Sequence, residues 1–163
     1  MKHPPPLNDK SEQLSEDTSG SIISRAVFPA QYKYLDDVRQ FVAKDAQSCG
    51  LDDAAVYAVK LAVDEAFTNI VEHAYGGECS EDIECSCQIK DESLVVTLQD
   101  CGDTFNPENV ADPDLTSSVQ EREVGGLGFF LIHKLMDEVK YKIITNSEGQ
   151  EECTVLTMVK HKG

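Results

Sequence analysis

The sequence predicts an α+β protein, a two-layer α/β sandwich with helices on one face of a mixed, mainly antiparallel sheet. Three observations carry this reading. Two amphipathic stretches, 31–49 and 52–74, follow each other directly after a first strand-like run, and the later strand-like runs come in neighbouring pairs. No strand alternates with a crossover helix in the way a doubly wound parallel sheet requires. At 163 residues, 40% of them hydrophobic, the chain fits a single domain with a sizeable core.

Taken in order, residues 1–20 are rich in Pro, Ser, Asp and Glu with only isolated apolar side chains, and they read as a flexible tail. Ser21 to Phe28 alternates as a strand does, and Pro29 ends it. From Gln31 to Cys49, Tyr34, Leu35, Val38, Phe41, Val42 and Ala46 recur at helical spacing, and Gly50 closes the helix. A second helix from Asp52 to Ala74 carries Val56, Val59, Val63, Phe67 and Ile70 on one stripe, ended by Gly76 and Gly77. Ile83 to Lys90 and Leu94 to Gln99 read as a hairpin around Asp91, Glu92 and Ser93. The polar stretch from Cys101 to Glu123, interrupted by Pro107 and Pro113, is long for a loop in a compact domain, and such loops are usually lids or binding loops. A helix from Leu127 to Met136, a strand from Val139 to Thr145, a turn at Asn146 to Gln150 and a strand from Cys153 to Lys160 complete the chain.

Charge narrows the classes of partner. Thirty Asp and Glu against 14 Lys and Arg give a formal charge of -16, which repels nucleic-acid backbones and anionic lipid. No apolar run reaches the roughly 18 residues of a membrane span, and the start MKHPPPLNDK lacks a signal-peptide core, so a cytoplasmic protein is expected. The cysteines at 49, 79, 85, 87, 101 and 153 form no C-x-x-C pair and read as reduced, mostly buried thiols. A metal site at Cys79, Cys85 and Cys87 is the sharper alternative, disfavoured because no histidine lies close behind them.

Three short patterns carry chemistry. Glu65 and Asn69 stand four residues apart in Val63-Asp64-Glu65-Ala66-Phe67-Thr68-Asn69 and so share a helix face. An amide oxygen is a hard neutral ligand for Mg2+ beside phosphate oxygens, and a carboxylate one turn away can accept a proton. Alone, the pair equally describes a solvated helix face. Asp100-Cys101-Gly102-Asp103-Thr104-Phe105-Asn106-Pro107 follows a strand: a buried Asp there can accept a hydrogen bond from an exocyclic amine, and Gly102 lets the backbone pass near a flat ring. D-x-G is also a common turn. Gly125-Gly126-Leu127-Gly128 leads into an apolar helix whose N-terminal N–H groups suit phosphate, although it fits neither the P-loop nor the dinucleotide fingerprint and serves equally as a hinge.

Together and in this order, the three patterns resemble the ATP-binding fold shared by histidine kinases, type II topoisomerases, Hsp90 and MutL-like proteins, over about residues 21–160. Asp64 to Asn69 with His73-Ala74-Tyr75, Asp100 to Pro107, and Gly125 to Gly128 running on to Leu135-Met136-Asp137-Glu138-Val139 are similar to the anti-sigma-factor serine kinases of bacteria. The resemblance implies a kinase domain over 21–163 that uses ATP and Mg2+, with Asn69 on the metal and Glu65 as the base that deprotonates a partner's serine. It implies that Asp100 bonds the adenine amine with Gly102 and Phe105 at the base pocket. Residues 107–123 would then form a lid, and Gly125, Gly126, Leu127 and Gly128 would lie at the phosphates. Arg122 is the available basic residue before these glycines, able to neutralise the transferring phosphate or simply to sit exposed. His73 is not assigned chemistry, and a structural role near a helix C-terminus suffices for it. Thr154 and Thr157 lie on opposite strand faces, and either could support adenine through water.

The implied partners are an anti-sigma-factor antagonist domain protein as phosphorylation substrate, a sigma factor or other protein held in one nucleotide state, and a second copy of the chain in a homodimer. The competing reading is an ATP-gated binding module that sequesters a partner without phosphoryl transfer. A detached histidine-kinase domain is disfavoured because no helical pair with an acceptor histidine precedes it, and a topoisomerase-like clamp lacks the further domain it would move.

Overall fold

The computed structural model describes residues 13–16, 22–104, 126–145, 149 and 151–163. Six strands form one sheet: β1 (Gln13–Glu16), β2 (Ile22–Pro29), β3 (Asp82–Lys90), β4 (Ser93–Asp100), β5 (Glu138–Thr145) and β6 (Glu152–His161). Their order across the sheet is β1-β2-β3-β4-β6-β5, and all five neighbouring pairs are antiparallel, the limiting case of the mainly antiparallel sheet expected. β1 lies within the stretch the sequence reads as tail and pairs with the far edge of β2.

Strand alternation decides which face is covered. Ala26 and Phe28 on β2, Ile83, Cys85 and Cys87 on β3, Leu94, Val96 and Leu98 on β4, and Leu156 and Met158 on β6 are all buried and meet the helices. α1 (Leu35–Cys49) presents Val38, Val42, Ala46 and Cys49 to this layer after a 3-10 turn at Tyr32–Tyr34. Gly50, at φ 90, ends it in the left-handed conformation that favours glycine. α2 (Asp53–Asn69) starts where the Asp52 side chain accepts the Ala55 N–H at 2.8 Å, a cap worth about 1 kcal/mol. The predicted stripe of Val56, Val59, Val63, Phe67 and Ile70 is buried throughout. An ion pair of 2.6 Å from Arg39 Nη1 to Asp64 Oδ1 ties α1 to α2, and α3 (Gly126–Leu135) packs on the far side of α2.

Two local features depart from the sequence reading. The second helix does not continue unchanged to Ala74: α2 ends at Asn69 and the chain winds on as a π-helical turn over Ile70–Ala74, with Tyr75 N–H bonded to Ile70 O at 3.0 Å. Cys101 and Cys153 are joined in a disulfide, which corrects the expectation of six reduced thiols, while Cys49, Cys79, Cys85 and Cys87 are free. The two bridged residues stand opposite each other just past the last β4–β6 pair, Asp100 with Thr154, at a Cα–Cα distance of 4.0 Å, and strand pairing is what brings residues 52 apart in sequence into bonding range.

Candidate functional site: a pocket between α2, α3 and the end of β4

Helical spacing puts Glu65 and Asn69 on the face of α2 turned toward α3. The third motif meets them there. A Cβ built on Gly128 would lie 3.0 Å from Asn69 Nδ2, 3.0 Å from Glu65 Oε2 and 3.1 Å from Asn69 Oδ1. Glycine at this position is therefore what lets the α3 backbone approach the carboxylate and amide directly. Burial pushes the Glu65 carboxyl above its usual pKa, and the negative charges of Asp64 and Glu72 add to the rise. A proton acceptor and a neutral oxygen ligand thus face one glycine backbone, a donor set suited to a hard cation carried by phosphates.

The π turn after Asn69 delivers the second motif. Ala74 O, at its end, accepts the Asp103 N–H at 2.7 Å, and the Tyr75 hydroxyl accepts the Cys101 N–H at 3.2 Å while donating to Asp82 O at 2.9 Å. Tyr75 is half-buried, and its hydroxyl is pushed up to about 12, chiefly by burial. Gly102 is pressed against this turn: a Cβ there would fall 2.5 Å from Ala74 O and 2.9 Å from Tyr75 Cδ1. No other residue fits without moving backbone. Beside it, Asp100 is 4% exposed, the one buried charged side chain among the described residues. Burial pushes its carboxyl up to about 6, opposed by the Gly102 N–H that Oδ1 accepts at 3.1 Å.

A cavity joins the motifs, lined by Asn69, Ala74, Asp100, Phe129, Tyr141 and Thr154 among others. Its volume of ≈ 30 Å³ has room for about two waters. Phe129 of α3 forms one wall, its ring 5.3 Å from that of Tyr141 on β5.

Glu65, Asn69, Asp100, Gly102 and Gly128 are thus gathered around one site. Gly126 and Leu127 open α3, and Phe105, Arg122, Gly125 and the lid of 107–123 lie outside the described residues. Strand parity decides between the two threonines: Thr154 lines the cavity, whereas Thr157 faces the other side of the sheet opposite Thr97. His73 sits half-buried in the π turn and does not line the cavity. Cys79, Cys85 and Cys87 form no metal-ligand cluster among the described residues. Tyr75 and Phe129 as site residues were missed by sequence reasoning, since an aromatic at a helix end or on an apolar helix carries no signal separate from core packing.

Comparisons with known proteins agree with this geometry. The family described as "Histidine kinase-like ATPase domain" matches residues 28–160. Serine-protein kinase RsbW of Listeria monocytogenes serovar 1/2a is 34% identical over 116 residues, 69% of this chain and 74% of the relative. The protein of the same name from Halalkalibacterium halodurans is 31% identical over 138 residues, 81% of this chain and 78% of the relative. Among solved structures, the RsbU and RsbW domains of Rv1364c from Mycobacterium tuberculosis superpose with a TM-score of 0.54 at 15% identity over 84% of this chain, a likeness of fold. This chain spans 32% of the length of that one. No described helix is long and apolar enough to cross a membrane. With the three motifs on one pocket and both levels of similarity in agreement, the chain belongs to the histidine kinase-like ATPase family, in its group of anti-sigma-factor serine-protein kinases of the RsbW kind.

Proposed function

We propose that this chain binds Mg-ATP in the pocket between α2, α3 and the end of β4 and phosphorylates a serine or threonine of an anti-sigma-factor antagonist protein in a cytoplasmic partner-switching pathway. The observation that carries the reading is the contact of the Gly128 backbone with Glu65 and Asn69, a cradle that a Cβ would fill. The Asn69 amide oxygen would hold Mg2+, which would supply charge neutralisation for phosphoryl transfer.

Glu65 accepts the proton of the attacking hydroxyl, and its raised pKa makes it a better base than an ordinary surface carboxylate. Asp100, ionised at neutral pH with its carboxyl at about 6, accepts the adenine amine on the oxygen turned away from Gly102. Thr154 stands opposite it to complete the base contact. Gly126 and Gly128 offer backbone to the phosphates. The nucleotide state then selects the partner, an antagonist protein or a sigma factor, held by a homodimer. The similarity to serine-protein kinases supports the transfer step.

The test is transfer of labelled phosphate from Mg-ATP to purified antagonist-domain proteins. The expected result is label on serine or threonine with the wild type and none with Asn69→Ala. ATP binding without any labelling would instead make the chain a nucleotide-gated binding module.

A further inference from the structure

Cys101 and Cys153 take no part in the chemistry above, yet both lie directly against it. Cys101 separates Asp100 from Gly102, and Cys153 precedes Thr154, so each half of the bridge adjoins a residue lining the cavity. Asp100 and Thr154 form the last pair of the β4–β6 ladder, and successive side chains of a strand point to opposite faces. The disulfide therefore sits behind the pocket floor, one residue beyond the last β4–β6 pair, where it ties the end of β4 to Cys153, a residue that β5 holds in register through Ile144. Four other cysteines of the chain remain free thiols, three of them buried. The bridge is thus particular to this place.

We propose that Cys101 and Cys153 are a reversible oxidation site that sets the affinity of the pocket for ATP, the disulfide state being the tighter binder. The inference rests on the reading of Asp100 as the adenine contact. Cys153 is 1% exposed and Cys101 is half-buried, so a dithiol reductant reaches the Cys101 sulfur first. Its thiolate attacks Cys101 Sγ, the S–S bond breaks, and Cys153 leaves as a thiolate that takes up a proton. The second thiol of the reductant then displaces Cys101, which also takes up a proton, and the two electrons have passed from the reductant, now itself a disulfide, to the pair.

The Glu151 carboxylate lies within 4.8 Å of both sulfurs. Without the bridge the end of β4 is joined to β6 only through the Asp100–Thr154 pair, and the spacing of these two residues is held less tightly. ATP must then order it on binding, which weakens affinity. Linkage requires the reverse effect as well: bound ATP protects the disulfide from reduction by the same factor.

The experiment titrates Mg-ATP calorimetrically into the full chain, once as the disulfide and once after dithiothreitol, with the thiol count of each sample read by alkylation and mass. The Cys101→Ser/Cys153→Ser variant, shown to be folded by thermal unfolding, is the control. The expected result is a loss of about fivefold or more in affinity on reduction. The variant should match the reduced protein and ignore dithiothreitol, and ATP should lower the fraction reduced at a fixed dithiothreitol ratio. Equal affinity of the two forms, an equal response of the variant to dithiothreitol, or no bridged species by mass would each overturn the proposal. If neither form binds ATP while the bridge is present by mass, the nucleotide reading is what has failed, and the coupling falls with it.

Discussion

At the scale of single residues, the site depends on two glycines that resist substitution for different reasons. A Cβ on Gly128 meets only the ends of the Asn69 and Glu65 side chains, which can swing aside, and alanine is the better helix former by about 1 kcal/mol. Gly128→Ala is therefore expected to leave thermal stability unchanged or slightly raised while weakening Mg-ATP binding at least tenfold, a split that calorimetry and a melting curve separate. A Cβ on Gly102 meets the Ala74 carbonyl itself, so Gly102→Ala is expected to lose about 1–3 kcal/mol of stability in a urea titration. Asp100 ties stability to pH. Its folded carboxyl at about 6 lies above the ordinary aspartate value of 3.8, so between roughly pH 4 and 6 the folded state binds more protons than the unfolded one, and stability falls as pH rises through that window. Asp100→Asn should remove that slope, leaving a flatter stability profile from pH 4 to 6 by urea unfolding, and should weaken ATP binding.

At the scale of elements, what matters is how strand and helix ends are joined. The β3–β4 hairpin turns on Asp91 and Glu92, whose φ values of 52 and 60 place both in the left-handed region, with Lys90 opposite Ser93. This is the two-residue turn whose twist suits a hairpin, made here without glycine. Replacing Glu92 by glycine relieves a left-handed penalty of about 1–2 kcal/mol and adds back less than about 1 kcal/mol of unfolded-state entropy. The contact of Glu92 with Lys162, at 4.0 Å and largely exposed, contributes little. Glu92→Gly is thus expected to raise the melting temperature by a few degrees, about 2–4 °C, with ATP binding unaltered. The π turn after α2 has the opposite character: it leaves Asn69 at the last α-helical position and sends Ala74 O toward Asp103, so the helix that carries the proposed metal ligand also anchors the loop proposed to bind the base.

At the scale of the whole molecule, periodicity made the layers legible: every apolar residue placed on the second helix stripe is buried, and the strand runs lie within a residue or two of their observed limits. The three motifs were legible through their joint occurrence in order along the chain, since each alone fits an ordinary helix face, turn or hinge. What sequence could not supply was distance. The disulfide, the choice of Thr154 over Thr157 and the Tyr75 clamp all depend on which strand lies beside which, and the π turn depends on a change of winding that leaves apolar spacing almost unaltered. The central claim is a division of labour in which the pocket holds the nucleotide and Glu65 takes the proton. It is tested most directly by measuring, for Glu65→Gln, both the Mg-ATP dissociation constant and the rate of phosphate transfer to an antagonist-domain protein that the wild type labels. The account predicts binding within about twofold of wild type and transfer slowed by about a hundredfold or more. Transfer at the wild-type rate would contradict it.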